Sequence, residues 1–310
     1  MPRGLTALAL ALLLAGCAST PLQYTELEAP AADARVELNE VVFHPQEAYH
    51  CGPAALATVM EWAGEAIDPD TLAPRVYLEG RQGSLQAELI AATRRQGLLP
   101  YRQPPSFAAL LRQLDAGQPV LILQNLALER WPVWHYAVVI GYDLERQEVI
   151  LRSGTTERET LSFRRFERSW QKADYWALTV HRPDRLPADA EQTRYLEAAA
   201  GLEQVGQLEA AAQAYTVAVQ TWPDSLPAWV GLGNIHYRQA RYAQAAAHYQ
   251  TALRYHPQSP AAHHNLAWAL IRQGLYEDAR PHAQRAYELS SAEQTHYHSA
   301  WEALQDAAEE

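Results

Sequence analysis

Eight positions recur at an interval of 34 residues through the C-terminal part of the chain. Tyr195, Ala198, Ala199, Leu202, Ala211, Tyr215, Ala218 and Pro223 return as Trp229, Leu232, Gly233, His236, Ala245, Tyr249, Ala252 and Pro257. They return again as His263, Leu266, Ala267, Leu270, Ala279, Ala283, Ala286 and Ser291. A period of this length predicts stacked helix pairs, because one pair cannot bury its apolar face alone and each copy must lean on the next. Small residues let paired helices approach, aromatics fill the gap between them, and proline ends the second helix. Glu293 to Ala307 reads as a helix capping the last copy.

The period and residue types resemble the tetratricopeptide repeat. The resemblance implies an all-α solenoid of three repeats with a capping helix over residues 191–308. The first helix of each pair then lines a concave groove, at positions such as Asn234, His236 and Asn265, and the groove is expected to bind a protein or peptide partner. His263-His264 are adjacent and His296-x-His298 two apart, whereas metal ligands on one helix face sit three or four apart. These histidines read as polar surface residues of the repeats, and no metal or cofactor is expected.

At 310 residues the chain has room for about two domains, so a second must precede the repeats. Its most chemically loaded stretch is Gln46-Glu47-Ala48-Tyr49-His50-Cys51-Gly52-Pro53-Ala54-Ala55-Leu56. A single thiol stands where an extended segment gives way to an Ala-rich apolar run that predicts a helix. Cysteine at a helix N-terminus feels the positive end of the macrodipole, so its thiolate is expected to be favoured. Pro53 suits the first turn, where its missing N–H costs nothing.

Phe107, Leu110, Leu111 and Leu114 predict a further helix stopped by Gly117, and Ser84 reads as the N-cap of one carrying Leu85, Leu89 and Ala92. Strands are predicted over 36–43, 119–124, 135–142, 148–152 and 174–180. Helices first and an antiparallel sheet after them make an α+β domain over 36–182, with the thiol on a helix and His135 at the mouth of a strand. Trp131 and Trp134, just before that histidine, either line a substrate cleft or stack on the surface. Gln124 and Asn125 read as a polar strand end, and the proline-containing residues 183–190 as a linker to the repeats.

The N-terminus carries a different signal. Arg3, the apolar run Leu5 to Leu14 and then Leu14-Ala15-Gly16-Cys17 read as a signal peptide over 1–16, too short to span a bilayer. Leu-Ala-Gly-Cys resembles the bacterial lipobox, which implies lipidation at Cys17, and residues 17–35 read as a tether. Ala18 is not the Asp that retains lipoproteins in the inner membrane, so an outer-membrane anchor facing the periplasm is expected. Cys51 is then the only free thiol in an oxidising compartment. A net charge of −11 argues against nucleic acid, which wants basic stripes, and leaves the lipid as the only expected membrane contact.

The spacing Gln-x4-Cys-Gly-Pro-Ala-Ala-Leu, followed by His135-Tyr136-Ala137-Val138-Val139-Ile140-Gly141-Tyr142-Asp143, resembles the bacteriocin-processing (double-glycine leader) cysteine peptidases across about residues 36–182. The resemblance implies a papain-like fold with Cys51 as nucleophile, His135 as general base and Gln46 as oxyanion donor beside the Cys51 N–H. That family places an Asp-Pro after the strand that follows the histidine. Here the place reads Leu151-Arg152-Ser153-Gly154, so Ser153 stands where the third member is expected. A hydroxyl is a weaker imidazole partner than a carboxylate, and Asp143 falls at the far end of the strand.

Two functions follow. One is an envelope-anchored cysteine peptidase cutting a peptide or protein substrate, with the repeats recruiting substrate or partner. The other is a non-catalytic peptide-binding scaffold lipoprotein of an envelope assembly. Replacing Cys17 with Ser is expected to move the protein out of the outer-membrane fraction or leave it unprocessed. An intact mass retaining Met1 on a cytosolic wild-type protein would overturn the anchor.

Overall fold

The computed structural model describes residues 21–27, 33–45, 51–78, 83–291 and 294–309; Cys17, Gln46 and most of the Gly80–Gly83 loop lie outside them. The first domain is an antiparallel sheet with helices on both faces. Its strands are β1 (Arg35–Glu37), β4 (Leu99–Arg102), β5 (Val120–Asn125), β6 (Trp134–Asp143), β7 (Glu148–Ser153), β8 (Thr156–Ser162) and β9 (Ala177–His181). They run in the order β4-β9-β5-β6-β7-β8, with β1 also on β6; β2 (Tyr77–Leu78) and β3 (Gly83–Ser84) pair separately.

The alternation of β6 divides the core in two. Tyr136, Val138 and Ile140 face α1 (Cys51–Trp62) together with Leu121, Leu123 and Leu178. Ala137 and Val139 face the opposite side with Val120, Ile122 and Leu151, against α4 (Phe107–Asp115) and α5 (Phe163–Gln171). Two further helices, α2 (Pro69–Val76) and α3 (Gln86–Arg95), pack beside α1. Gly141 lets β1 approach: a Cβ there would collide with the Val36 carbonyl oxygen and lie 2.9 Å from the Glu37 Cα.

Several boundaries differ from expectation. The strand predicted over 36–43 is three residues long, because the chain turns at Asn39 and Glu40, and Val41 N–H donates back to Leu38 O. The last strand begins only at Ala177, since Asp174 and Tyr175 adopt left-handed turns (φ 51° and 53°). Ser84 belongs to β3 and its hydroxyl is buried without a partner among the described residues, so it does not cap α3. β4 was hidden by Pro100, which an edge strand tolerates.

The tether reading is corrected within its described part. Residues Gln23–Glu26 form a short 3-10 turn held by the fully buried Glu167 of α5. The Glu167 carboxylate accepts from the Gln23 and Tyr24 N–H groups (Tyr24 at 2.9 Å) and from the Tyr175 hydroxyl at 2.9 Å. Tyr24 packs edge-on to Phe163 and tilted against Phe107. A buried carboxylate needs such donors, and the two N–H groups come from over 140 residues away.

Six repeat helices follow: α6 (Gln192–Gln204), α7 (Leu208–Thr221), α8 (Leu226–Arg238), α9 (Tyr242–Tyr255), α10 (Pro260–Ile271) and α11 (Tyr276–Leu289). A Cβ at Gly231 would lie 2.6 Å from the Tyr215 ring, and one at Gly233 would collide with Tyr249, so glycine makes room for the aromatics. The cap is a short 3-10 turn, Thr295–His298, followed by α12 (Ser299–Glu309), whose Ala300 and Leu304 seal the last repeat.

The stretch 183–190 is pinned rather than a free linker. Gln113 Nε2 donates to Ala188 O at 2.8 Å, Arg112 pairs with Asp189, and Glu191 N–H donates to the Tyr101 hydroxyl at 2.9 Å. Leu99 and Tyr101 of β4 share one core with Tyr195, Ala198 and Leu202 of α6. Tyr101 therefore welds the two domains. Tyr101→Ala is expected to cost about 3–5 kcal/mol, as for other buried aromatics. Calorimetry should show one transition splitting into two; a single unshifted transition in the variant would contradict the shared core.

Candidate active site

Cys51 opens α1 and packs half-buried against the core on that helix's side of the sheet. The backbone N–H groups of Tyr136, Gly52 and Cys51 itself face its sulfur and stabilise the thiolate. Burial acts in the other direction and is the larger effect, so the thiol pKa lies above its ordinary value. The expected stabilisation of the thiolate by N–H groups at the helix start is present, but desolvation outweighs it.

His135 is the second residue of β6, one position before the N–H that faces the thiol. By alternation its side chain belongs with Ala137 and Val139, on the sheet face opposite α1. There His135 Nε2 lies 3.0 Å from Ser153 Oγ. Ser153 is 9% exposed and closes β7. With Nε2–H donating to Oγ, Nδ1 keeps its lone pair and has no hydrogen-bond partner among the described residues. Burial lowers the His135 pKa, and the negative charge of Glu159 partly opposes it.

His135 and Ser153 are brought together directly. Cys51 comes to the same end of β6 from the other face, and among the described residues no hydrogen bond joins its sulfur to the imidazole. Asp143 sits at the far end, opposite Arg35 and Glu148. Gln46 lies outside the described residues. Trp131 and Trp134 are 68% and 51% exposed in and beside the loop that leads into His135.

The imidazole and Ser153 form the inner wall of an open cleft of about 640 Å³. Gln124, Glu159, Thr156, Arg165, Arg168 and Lys172 also line it. Gln124 is more than a polar strand end: its amide donates to Ser169 Oγ of α5 at 2.6 Å. Asn125, in contrast, is structural, its Oδ1 accepting from the N–H groups of Ala127 and Val133, both at 3.0 Å. Glu159 and the α5 residues were missed from sequence. The missed signal was helical: Ser162 caps α5, and Phe163, Phe166, Glu167 and Trp170 follow at helical spacing.

In the repeats, Asn265 Nδ2 donates to Asn234 Oδ1 at 3.0 Å, and the same oxygen accepts from the Tyr249 hydroxyl at 2.8 Å. The two asparagines share a face of the first helices. His236 does not share it. It falls in the packing column of Leu202 and Leu270, stacks on His248 (5.0 Å) and lies toward α7 and Arg241. His263 is likewise no surface residue: it is 9% exposed, with Nε2 3.1 Å from Pro257 O.

Against known proteins, the profile of the Peptidase_C39 like family matches residues 38–178, and the tetratricopeptide repeat profile matches 196–246 and 230–293. A crystal structure of a putative C39-like peptidase from Bacillus anthracis is 20% identical and aligns with 48% of this chain and 98% of its own, at a TM-score of 0.39. YrrB, described as a TPR protein with an unusual peptide-binding site, is 26% identical over 34% of this chain and 55% of its own, at a TM-score of 0.32. Among curated proteins, human Protein O-mannosyl-transferase TMTC1 is 40% identical over 60 residues. The match spans 19% of this chain and 7% of that relative's length.

The raised thiol and lowered imidazole pKa values leave both groups uncharged across neutral pH. Alkylation of Cys51 by iodoacetamide should therefore climb only as pH passes the ordinary thiol value of about 8.5. A rate profile with its midpoint at or below neutrality would show a resting thiolate–imidazolium pair and overturn this account.

Proposed function

Because the chain carries a C39-like peptidase domain followed by tetratricopeptide repeats, we propose that it is a cysteine peptidase that cuts a peptide bond using Cys51 and His135. The observation that carries the proposal is the 3.0 Å contact between His135 Nε2 and Ser153 Oγ. It commits one ring nitrogen and leaves the basic one free, at the strand end where the neighbouring N–H faces the thiol.

In this mechanism the Sγ–H proton passes to His135 Nδ1 as sulfur attacks the scissile carbonyl carbon. Nδ1–H then protonates the departing amine, leaving a thioester. Water, deprotonated by the same nitrogen, releases the acid and restores the thiol. The free protein has not made the thiol–imidazole bond, and substrate binding is the step that closes it, as catalytic hydrogen bonds in unliganded sites commonly tighten only in the complex. The Cys51 N–H and Gln46 hold the oxyanion, at roughly 3–4 kcal/mol per donor. Glu159 supplies at a distance the negative charge that a triad carboxylate supplies by contact.

The repeats hold a peptide or protein through the Asn234 and Asn265 face, and Cys17 anchors the molecule by lipid to the outer membrane. A second reading, a scaffold that binds peptide without cutting it, is favoured by the uncharged resting pair and by serine in the carboxylate's place. The two separate in a peptide-library assay with mass-spectrometric readout. Cys51→Ala and His135→Ala should each abolish cleavage. Ser153→Ala should slow it about tenfold, the worth of one hydrogen bond near 1.4 kcal/mol, whereas Ser153→Asp should preserve or raise it. Cleavage persisting in Cys51→Ala would exclude the mechanism, and no cleavage by wild type would leave the scaffold.

A further inference from the structure

The cleft beside His135 has an unbalanced wall. Arg165, Arg168 and Lys172 follow one another along one stripe of α5 and its C-terminal end, with Arg164 beside them, and all four line the recess. Glu159 is the sole carboxylate among the residues lining the cleft. This excess of positive charge is local, in a chain whose net charge is −11. Several other arginines are paired: Arg158 holds Glu37 at 2.6 Å, Arg182 holds Asp184 at 3.1 Å, and Arg152 donates to the carbonyls of Val41 and Glu157. Among the described residues, the guanidinium groups of Arg164, Arg165 and Arg168 have no hydrogen bond or ion pair. Lys172 donates to Ala127 O at 2.6 Å, which fixes the end of α5 against the loop before His135.

The opposite face of α5 fixes the helix that carries these cations. Phe163, Phe166, Glu167 and Trp170 are buried, so the helix cannot roll. Its outer stripe is presented to the cleft as a row of donors. Guanidinium forks match carboxylates geometrically and keep their charge at any physiological pH. The remaining lining, from Gln124, Ser153, Thr155, Thr156 and Ser162, is polar and suited to a backbone. A recess with polar walls fits an extended chain better than a flat lipid surface.

We propose that the α5 wall is an acidic-peptide subsite, in which Arg165 and Arg168, flanked by Arg164 and Lys172, bind carboxylate side chains of the substrate segment next to the scissile bond. This deepens the peptidase reading and rests on it for the word substrate, but binding does not require turnover. Solvent-exposed ion pairs contribute modestly, so two of them select acidic over neutral peptide by about tenfold, less at high salt.

The test uses the full chain with Cys51→Ala, a fluorescent Glu-rich oligopeptide and its Gln-for-Glu copy. Fluorescence anisotropy at low salt should show the Glu-rich peptide binding about tenfold more tightly. The advantage should disappear in an added Arg165→Glu/Arg168→Glu pair and shrink in Arg165→Gln/Arg168→Gln. Both positions are exposed, so these variants should fold. Equal affinity for the two peptides, or an advantage surviving charge reversal, would overturn the subsite. So would phosphatidylglycerol vesicles competing off the Glu-rich peptide while phosphatidylcholine vesicles do not, since the row would then read a membrane. A discrimination ratio retained by a wild-type chain that cleaves neither peptide supports the subsite and removes only the peptidase reading.

Discussion

Val138 and Ile140 press on α1 while Ala137 and Val139, on the same strand, press on α4 and α5, and this double commitment fixes β6 in register and in rotation. A slip of one residue would exchange the two sets and open both cores at once. The site inherits its geometry from that constraint. Tyr136 must turn its ring toward α1, where its hydroxyl donates to Ser84 O at 3.1 Å, and His135 must therefore turn toward β7 and Ser153. Cys51 and His135 therefore reach the same strand end from opposite faces of the sheet.

Electrostatics follow from the same burial. A cysteine at a helix start usually gains from exposed N–H groups. Here those groups are present, but the core that orients Cys51 also strips its water, and the second effect is larger. His135 is desolvated in parallel. Both groups therefore rest uncharged near neutral pH, and the same burial that orients them sets that state.

Much of this was legible in the chain. The 34-residue recurrence gave the helix pairs, and Phe107, Leu110, Leu111 and Leu114 are buried as their spacing requires. The Cys51 helix start and the His135 strand mouth were placed by local pattern. What stayed hidden depends on distant partners. Glu167 looked like one charge in an Arg-rich segment, yet it is 0% exposed because Gln23 and Tyr24 bring donors to it. β4 carries a proline and drew no attention, although Tyr101 in it joins the domains. His236 sat in a packing column, and that column outweighed its polarity.

Because residues 188–191 are fastened to Arg112, Gln113 and Tyr101, the first repeat leaves the sheet at a set angle. A flexible connection would let anything captured by the repeats sample the cleft at a local concentration that falls as the connection lengthens. A rigid one offers no such averaging. The span between the Asn234–Asn265 face and the cleft becomes a fixed length, so under the proposed function a bound chain would reach the cleft only if its own spacer matched.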